Sequence, residues 1–124
     1  MKSSALAVDA AHDALTRWAD AFNHRDWPSL TALYSDDAQL FGGKPALYAG
    51  MERVKEYFSV LSEGLSVSFD EPALLEPVAD VIVLATTANF VSQQVARPHR
   101  LSWVLVRRAE GWRIVSHHAS PRSQ

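Results

Sequence analysis

Arg100-Leu-Ser-Trp-Val-Leu-Val-Arg-Arg-Ala-Glu-Gly-Trp-Arg-Ile-Val-Ser-His-His-Ala-Ser120 is the stretch whose reading decides the fold. Two runs rich in Val, Leu, Ile and Trp flank Arg108-Ala109-Glu110-Gly111, and a Gly closing a short loop supplies the positive φ of a hairpin turn. The stretch therefore reads as a β-hairpin. Its second strand ends at His117-His118, shortly before Pro121, so titratable side chains mark the strand end and chemistry is expected there. Strict alternation puts Leu101, Trp103 and Leu105 on one face of the first strand, and Arg100, Ser102, Val104 and Val106 on the other. In the second, Arg113, Val115, His117 and Ala119 share one face, and Trp112, Ile114, Ser116, His118 and Ser120 share the opposite one. Both faces are substantially apolar, which suggests cover by the chain's own helices on one side and by a second subunit on the other.

Upstream of the hairpin the periodicity is first helical. Ala7, Ala11, Ala14, Leu15, Trp18 and Phe22 recur at three- and four-residue steps over residues 4–23, one face of a long helix. Asn23-His24-Arg25 ends it, and Asp26 caps a second, short helix whose first turn tolerates Pro28 and whose inner side carries Leu30, Leu33 and Tyr34. Ser35-Asp36-Asp37 reads as a solvated turn, Ala38 to Phe41 as a brief strand, and Gly42-Gly43-Lys44-Pro45 as a loop. A third helix follows Gly50, about Met51 to Ser62, with Met51, Val54, Tyr57, Phe58 and Leu61 at helical spacing and Gly64 as its C-cap. Beyond Gly64 the period falls to two. Leu65, Val67 and Phe69 alternate with Ser66, Ser68 and Asp70; Pro72 and Pro77 bracket a link; Val78 to Val91 is a long β-prone run with a turn at Ala79-Asp80; and residues 92–98 read as a polar connection. Three helical segments, then four consecutive strands, predict an α+β fold with a mainly antiparallel sheet in a single domain spanning residues 1–124.

Composition narrows the function by exclusion. Twelve Lys and Arg against 14 Asp and Glu give a formal charge of −2, so neither a nucleic acid nor an anionic membrane surface is an expected partner. No cysteine is present, which removes disulfides, thiolate metal sites and cysteine nucleophiles together. No window approaches the roughly 20 apolar residues that span a bilayer, and Asp9 and Asp13 interrupt any signal-peptide core, so the expected compartment is the cytoplasm. His12, His24, His99, His117 and His118 show no ligand spacing, and neither a P-loop nor a Gly-x-Ser-x-Gly elbow occurs, so no metal or cofactor is expected.

The block Trp18-Ala-Asp-Ala-Phe-Asn-His-Arg-Asp-Trp-Pro-Ser-Leu-Thr-Ala-Leu-Tyr-Ser-Asp-Asp-Ala38, then Tyr48-Ala-Gly50, then the 107–120 ending, resembles the nuclear transport factor 2-like superfamily, and within it the SnoaL-like branch. The association domain of calcium/calmodulin-dependent kinase II is similar too. The resemblance implies a cone-shaped α+β domain, with a long N-terminal helix and two shorter helices packed on a curved sheet. It also implies a deep apolar pocket and a homodimer formed through the outer sheet face. Function varies widely on this fold, so the residues must decide. Aligned with ketosteroid isomerase, whose base and oxyanion donors are a general example of tuned acidity, the base position falls at Gly42 and the donor positions at Trp18 and Trp103. An indole donates a hydrogen bond but is no acid at neutral pH. The Asp-Arg-Asp arrangement of the epoxide-hydrolase branch has no match, and the pocket arginines of the kinase association domain fall at Trp103 and Ala119.

His117 is the candidate catalytic residue, a pocket acid or base, because His117 and His118 point to opposite faces and histidine titrates near neutrality. Trp18, Phe22, Tyr34, Phe41, Asn89 and Trp103 are the candidate ligand-binding residues, with packing as the competing role for the aromatics and an outward orientation as that for Asn89. Two functions stay open: binding of a small apolar molecule, extending to isomerase, cyclase or lyase chemistry through His117, and non-catalytic association through Val104, Val106, Trp112 and Ile114.

Overall fold

The computed structural model describes residues 4–42, 44, 46–61 and 64–122. Helix α1 spans Ala5–Asn23, and the side chain of Ser4 caps it by accepting from the backbone N–H of Ala7 at 3.1 Å. The face read from the sequence is the buried one: Ala7, Ala11, Ala14, Leu15, Trp18, Ala21 and Phe22. Helix α2 is a single turn and a half, Trp27–Thr31, capped by Asp26 with Pro28 in its first turn. Tyr34 lies beyond it and opens strand β1, Tyr34–Phe41, which corrects its placement on the second helix. The cause is tertiary: Leu33 accepts a hydrogen bond from the backbone N–H of Ile114 at 2.8 Å, which draws the chain into the sheet one residue before Tyr34. Asp36 and Asp37 are exposed as expected, but within β1 and not in a turn.

Strand β2, Leu47–Ala49, pairs with β1 and was not anticipated. Helix α3 spans Met51–Ser59 and ends on Val60, so Gly64 is not its C-cap; Ser62, the expected last residue, lies outside the described residues. Five strands follow, not four: β3 (Leu65–Phe69), β4 (Ala73–Val78), β5 (Val81–Ser92), β6 (Val95–Arg108) and β7 (Gly111–Pro121). The segment bracketed by prolines is β4; Pro77 falls where its register with β5 is irregular, a position where a missing N–H costs no ladder bond. Residues 92–98 are not a loop. Gln93 and Gln94 adopt φ of 51° and 67°, two successive left-handed residues that make a tight hairpin turn, and β6 resumes at once at Val95. The turns at Ala79-Asp80 and Ala109-Glu110 are as read, with φ of 68° at Asp80 and 121° at Gly111.

The seven strands form one sheet, ordered β2-β1-β7-β6-β5-β3, with β4 also paired to β5; only the β1–β7 pair is parallel. Helix α1 packs against β3, β4 and β5, and α3 against β1 and β2, so both cover the same concave face. Ile82, Leu84, Leu101, Trp103, Leu105 and Ile114 are among the sheet's buried contributions to the core. Strict alternation fails on β7. Val104 pairs with Ser116 but Leu105 pairs with Ile114, so Val115 is an extra, bulged residue. The bulge turns both Ile114 and His117 inward, whereas the sequence placed them on opposite faces. Trp112 also packs against the core. The outer face is consequently Val81, Val83, Val104 and Val106, each half-buried, without Trp112 and Ile114. Among the described residues no helix is long and apolar enough to cross a membrane.

Candidate functional site

Between the concave face and the two longer helices lies a cavity of about 190 Å³. Its walls are nearly all apolar. From α1 come Trp18 and Phe22, stacked with ring centroids 5.1 Å apart; from α3 come Tyr57 and Phe58; and the sheet supplies Phe69, Ala88, Phe90, Leu101 and Ala119. Trp18 also meets Phe58 and Phe69 edge to face, at 5.7 Å each, so the aromatic wall is fixed by mutual packing. Polar groups enter at two places. His117 stands at the inner part, and Arg97 and His99 of β6 line the cavity where the strand runs toward solvent.

His117 is 5% exposed and sits in a closed set of hydrogen bonds. The Trp18 indole Nε1 donates to the Tyr34 hydroxyl at 2.9 Å, that hydroxyl donates to His117 Nδ1 at 2.8 Å, and Trp103 Nε1 donates to the same Nδ1 at 3.0 Å. An indole nitrogen can only donate, so Nδ1 must present a lone pair and the ring proton resides on Nε2. Nε2 makes no hydrogen bond within the described chain, yet none of the described buried side-chain nitrogens or oxygens lacks a partner; Nε2–H therefore opens onto the cavity. Burial pushes the His117 pKa down to about 3, with the charge on neighbouring His118 adding to the effect. At neutral pH the ring is uncharged. Burial likewise holds the Tyr34 hydroxyl well above its ordinary pKa, so it remains a proton carrier within the network and not an anion.

The candidate residues fall into three groups. Trp18, Phe22 and His117 line the cavity. Tyr34 and Trp103 do not: both are fully buried behind His117 and act through it. Phe41 and Asn89 are turned away from the cavity, which corrects their assignment to it. In β1 the inward residues are Ala38 and Leu40, so Phe41 projects outward, 51% exposed, against the ring of His118. In β5 Ala88 and Phe90 face inward, and the Asn89 amide instead donates to Asp70 at 2.8 Å. The residues missed are chiefly Tyr57, Phe58, Phe69, Phe90, Arg97 and His99. Alternation from Leu101 and Trp103 back through residues 99 and 97 would have found the last two, had β6 been extended to Val95.

Gly42 has a structural reason to be glycine. A Cβ there would collide with the hydroxyl and ring of Tyr57, so the space a side chain at residue 42 would use is filled from α3.

The SnoaL-like domain family matches the chain over residues 11–123. The chain belongs to that family. None of the curated proteins matches it in sequence. Among solved structures, a nuclear transport factor 2-like protein of unknown function from Pseudomonas putida superposes with a TM-score of 0.86 at 16% identity, covering 99% of this chain and 92% of that one. A ketosteroid isomerase-like protein from Erwinia carotovora atroseptica gives 0.80 at 19% identity, covering 98% and 100%. A protein of unknown function from Pectobacterium atrosepticum gives 0.79 at 23% identity, covering 97% and 94%. At these identities the likeness is one of fold: the SnoaL-like domain is an α+β cone, and its relatives do not assign it a reaction.

Proposed function

We propose that this SnoaL-like domain binds a small, largely apolar molecule whose hydrogen-bond acceptor takes the Nε2–H of His117. The observation that carries this reading is the pair of donors on Nδ1, which commits the ring to a neutral, cavity-facing donor. A cavity on the order of 150 Å³ already admits a benzene ring, so about 190 Å³ suits a monocyclic compound and is too small for a steroid. A carbonyl oxygen held by a neutral imidazole N–H is polarised toward its enol or oxyanion form, an electrophilic role that needs no charge on the ring.

Acid–base chemistry by His117, as in an isomerase, cyclase or lyase, is the weaker alternative. To accept a proton at Nδ1 the ring would have to displace Trp103 and Tyr34; to accept one at Nε2 it would first have to lose the proton already there. Association through the outer face is a second reading, supported by the half-buried valines Val81, Val83, Val104 and Val106 and tested by sedimentation at micromolar concentration.

Tryptophan fluorescence tests binding directly, because Trp18 lines the cavity. Acetophenone should bind saturably and about 5- to 10-fold more tightly than α-methylstyrene, which has the same shape without the oxygen, as expected for one hydrogen bond worth roughly 1 kcal/mol. Equal affinities would remove the role given to Nε2–H, and no saturable binding of either would remove the ligand site.

A further inference from the structure

We propose that the ligand is an anion: a small, apolar carboxylic acid whose body fills the cavity and whose carboxylate is held by Arg97. This rests on the cavity being a binding site, and it names the substrate class. The inward face of β6 reads Arg97, His99, Leu101, Trp103, Leu105. The last three are core residues; the first two continue the same face past the edge of the core. Cross-strand register confirms the side: Arg97 pairs with Phe90 and His99 with Ala88, and both partners line the cavity. Arg97 is thus a cationic residue in cavity-lining register and not a bystander on the convex surface.

Its charge is uncompensated. Arg17, Arg53, Arg107 and Arg108 each have a carboxylate within 4 Å, whereas among the described residues the guanidinium of Arg97 makes no ion pair or hydrogen bond. Among the described residues no Asp or Glu lines the cavity. The surrounding chain is net negative, so this end of the cavity runs against the overall balance. His99 is fixed by its neighbour: its Nδ1–H donates to the Arg97 carbonyl at 2.9 Å, and its ring packs edge to face on Phe90 at 5.1 Å. That pairing braces the strand from which the arginine projects. A planar guanidinium with free donors at the end of an apolar cavity matches a carboxylate in charge and in fork geometry. With His117 Nε2–H within and the Arg97 guanidinium at the other end, the cavity offers a hydrogen-bond donor at each, which suits a ligand carrying acceptors at both ends.

The probe is 4-acetylphenylacetate, an acetophenone with a carboxylate opposite its ketone, compared with its neutral primary amide by calorimetry or fluorescence. In 20 mM salt the acid should bind about 10-fold more tightly than the amide, and the ratio should shrink several-fold in 0.5 M salt, where the Debye length falls to about 4 Å. Arg97→Gln should bring the ratio close to one; the side chain is exposed, so folding is not at stake. If acetophenone binds but acid and amide bind the wild-type protein equally, the anion inference is wrong while the cavity reading stands. A preference for the acid that persists in Arg97→Gln would overturn the role of Arg97. If acetophenone, acid and amide all fail to bind, both the inference and the reading beneath it fall.

Discussion

Mild acid should destabilise this protein, and His117 should be the reason. Its pKa is about 3 in the folded chain against 6.5 for an unperturbed histidine. Below pH 6.5 the unfolded chain takes up a proton that the folded chain refuses, so stability falls as pH falls and levels off only below the folded value. Each pH unit across that window costs up to about 1.4 kcal/mol, so the whole interval is worth about 5 kcal/mol and the part between pH 7 and 4.5 about 2–3 kcal/mol. That is a large share of the roughly 5–15 kcal/mol that stabilises a domain of this kind. Other shifted groups do not mimic it. His12 is raised by its hydrogen bond to Glu71, so its contribution is full below pH 6.5 and is lost as pH rises through its folded value, the opposite sign. Asp26 and Asp37 are lowered from 3.8 by hydrogen bonds to Ser29 and Ser35, so their contributions are lost only below about pH 4. Urea unfolding followed by tryptophan fluorescence at pH 7, 6, 5 and 4.5 measures the slope. His117→Asn, whose Oδ1 takes roughly the position of Nδ1 and can still accept from Tyr34 and Trp103, should start less stable at pH 7 but lose little further stability down to pH 4.5. A wild-type stability that is flat over this range, or a variant with the same slope, would refute the buried neutral imidazole.

Three other outcomes follow from named contacts. Tyr34→Phe removes the acceptor of the buried Trp18 N–H and one donor to His117 at once, and should cost about 2–3 kcal/mol in urea unfolding; a loss under about 0.5 kcal/mol would mean the network is not closed as described. Gly42→Ala should cost about 1–3 kcal/mol because the new methyl must displace Tyr57, and a neutral result would show that α3 yields freely there. Asn23 accepts from the backbone N–H of Val67 at 2.8 Å and donates to its carbonyl at 3.1 Å, serving as a surrogate strand on the free edge of β3. Asn23→Ala should cost about 2 kcal/mol and speed hydrogen exchange at the Val67 amide; unchanged exchange there would contradict that role.

What the sequence discloses here depends on how regular each element is. The buried stripe of α1, the closing hairpin and the strand character of β3 and β5 follow from periods of 3.6 and two, and the structure has them. Composition misleads where conformation is set by neighbours. Gln93 and Gln94 look like loop filler and are instead a two-residue turn, so β6 starts near residue 95 and brings Arg97 and His99 onto the concave face. For Asn89, period two defines a face shared with Val81, Val83 and Thr87 but not which face is inward, and the buried neighbours Ile82, Leu84 and Ala88 make it the outer one; Leu40 does the same for Phe41. His117 is visible as a titratable residue in an otherwise apolar run, although it lies inside β7, which continues to Pro121, and not at the strand end expected. Its tautomer is not visible, since that is fixed by two donors from residues 83 and 14 positions away.

The least legible feature is also the one on which the site depends. On one side of β7 the register slips at Val115, which is extra relative to β6. On the other, β1 advances from Tyr34 to Gln39 while β7 advances only from Ile114 to Ser116. Both irregularities fall on the same short segment. Without the first, Ile114 and His117 would face opposite sides, and one of them would leave the core. The second holds Tyr34 back beside Ile114, so that its hydroxyl can approach the His117 ring from one side while Trp103, the direct cross-strand partner of His117, approaches from the other. A bulge is ordinarily a local cost to a ladder; two at one place here turn an interior strand into a mount for a single imidazole. Deleting Val115 places Ile114 and His117 two residues apart, so strict alternation then keeps both inward and His117 opposite Trp103; the folded variant should retain the oxygen-dependent preference for acetophenone, and its loss would show that the ladder pairs do not by themselves hold the imidazole in place.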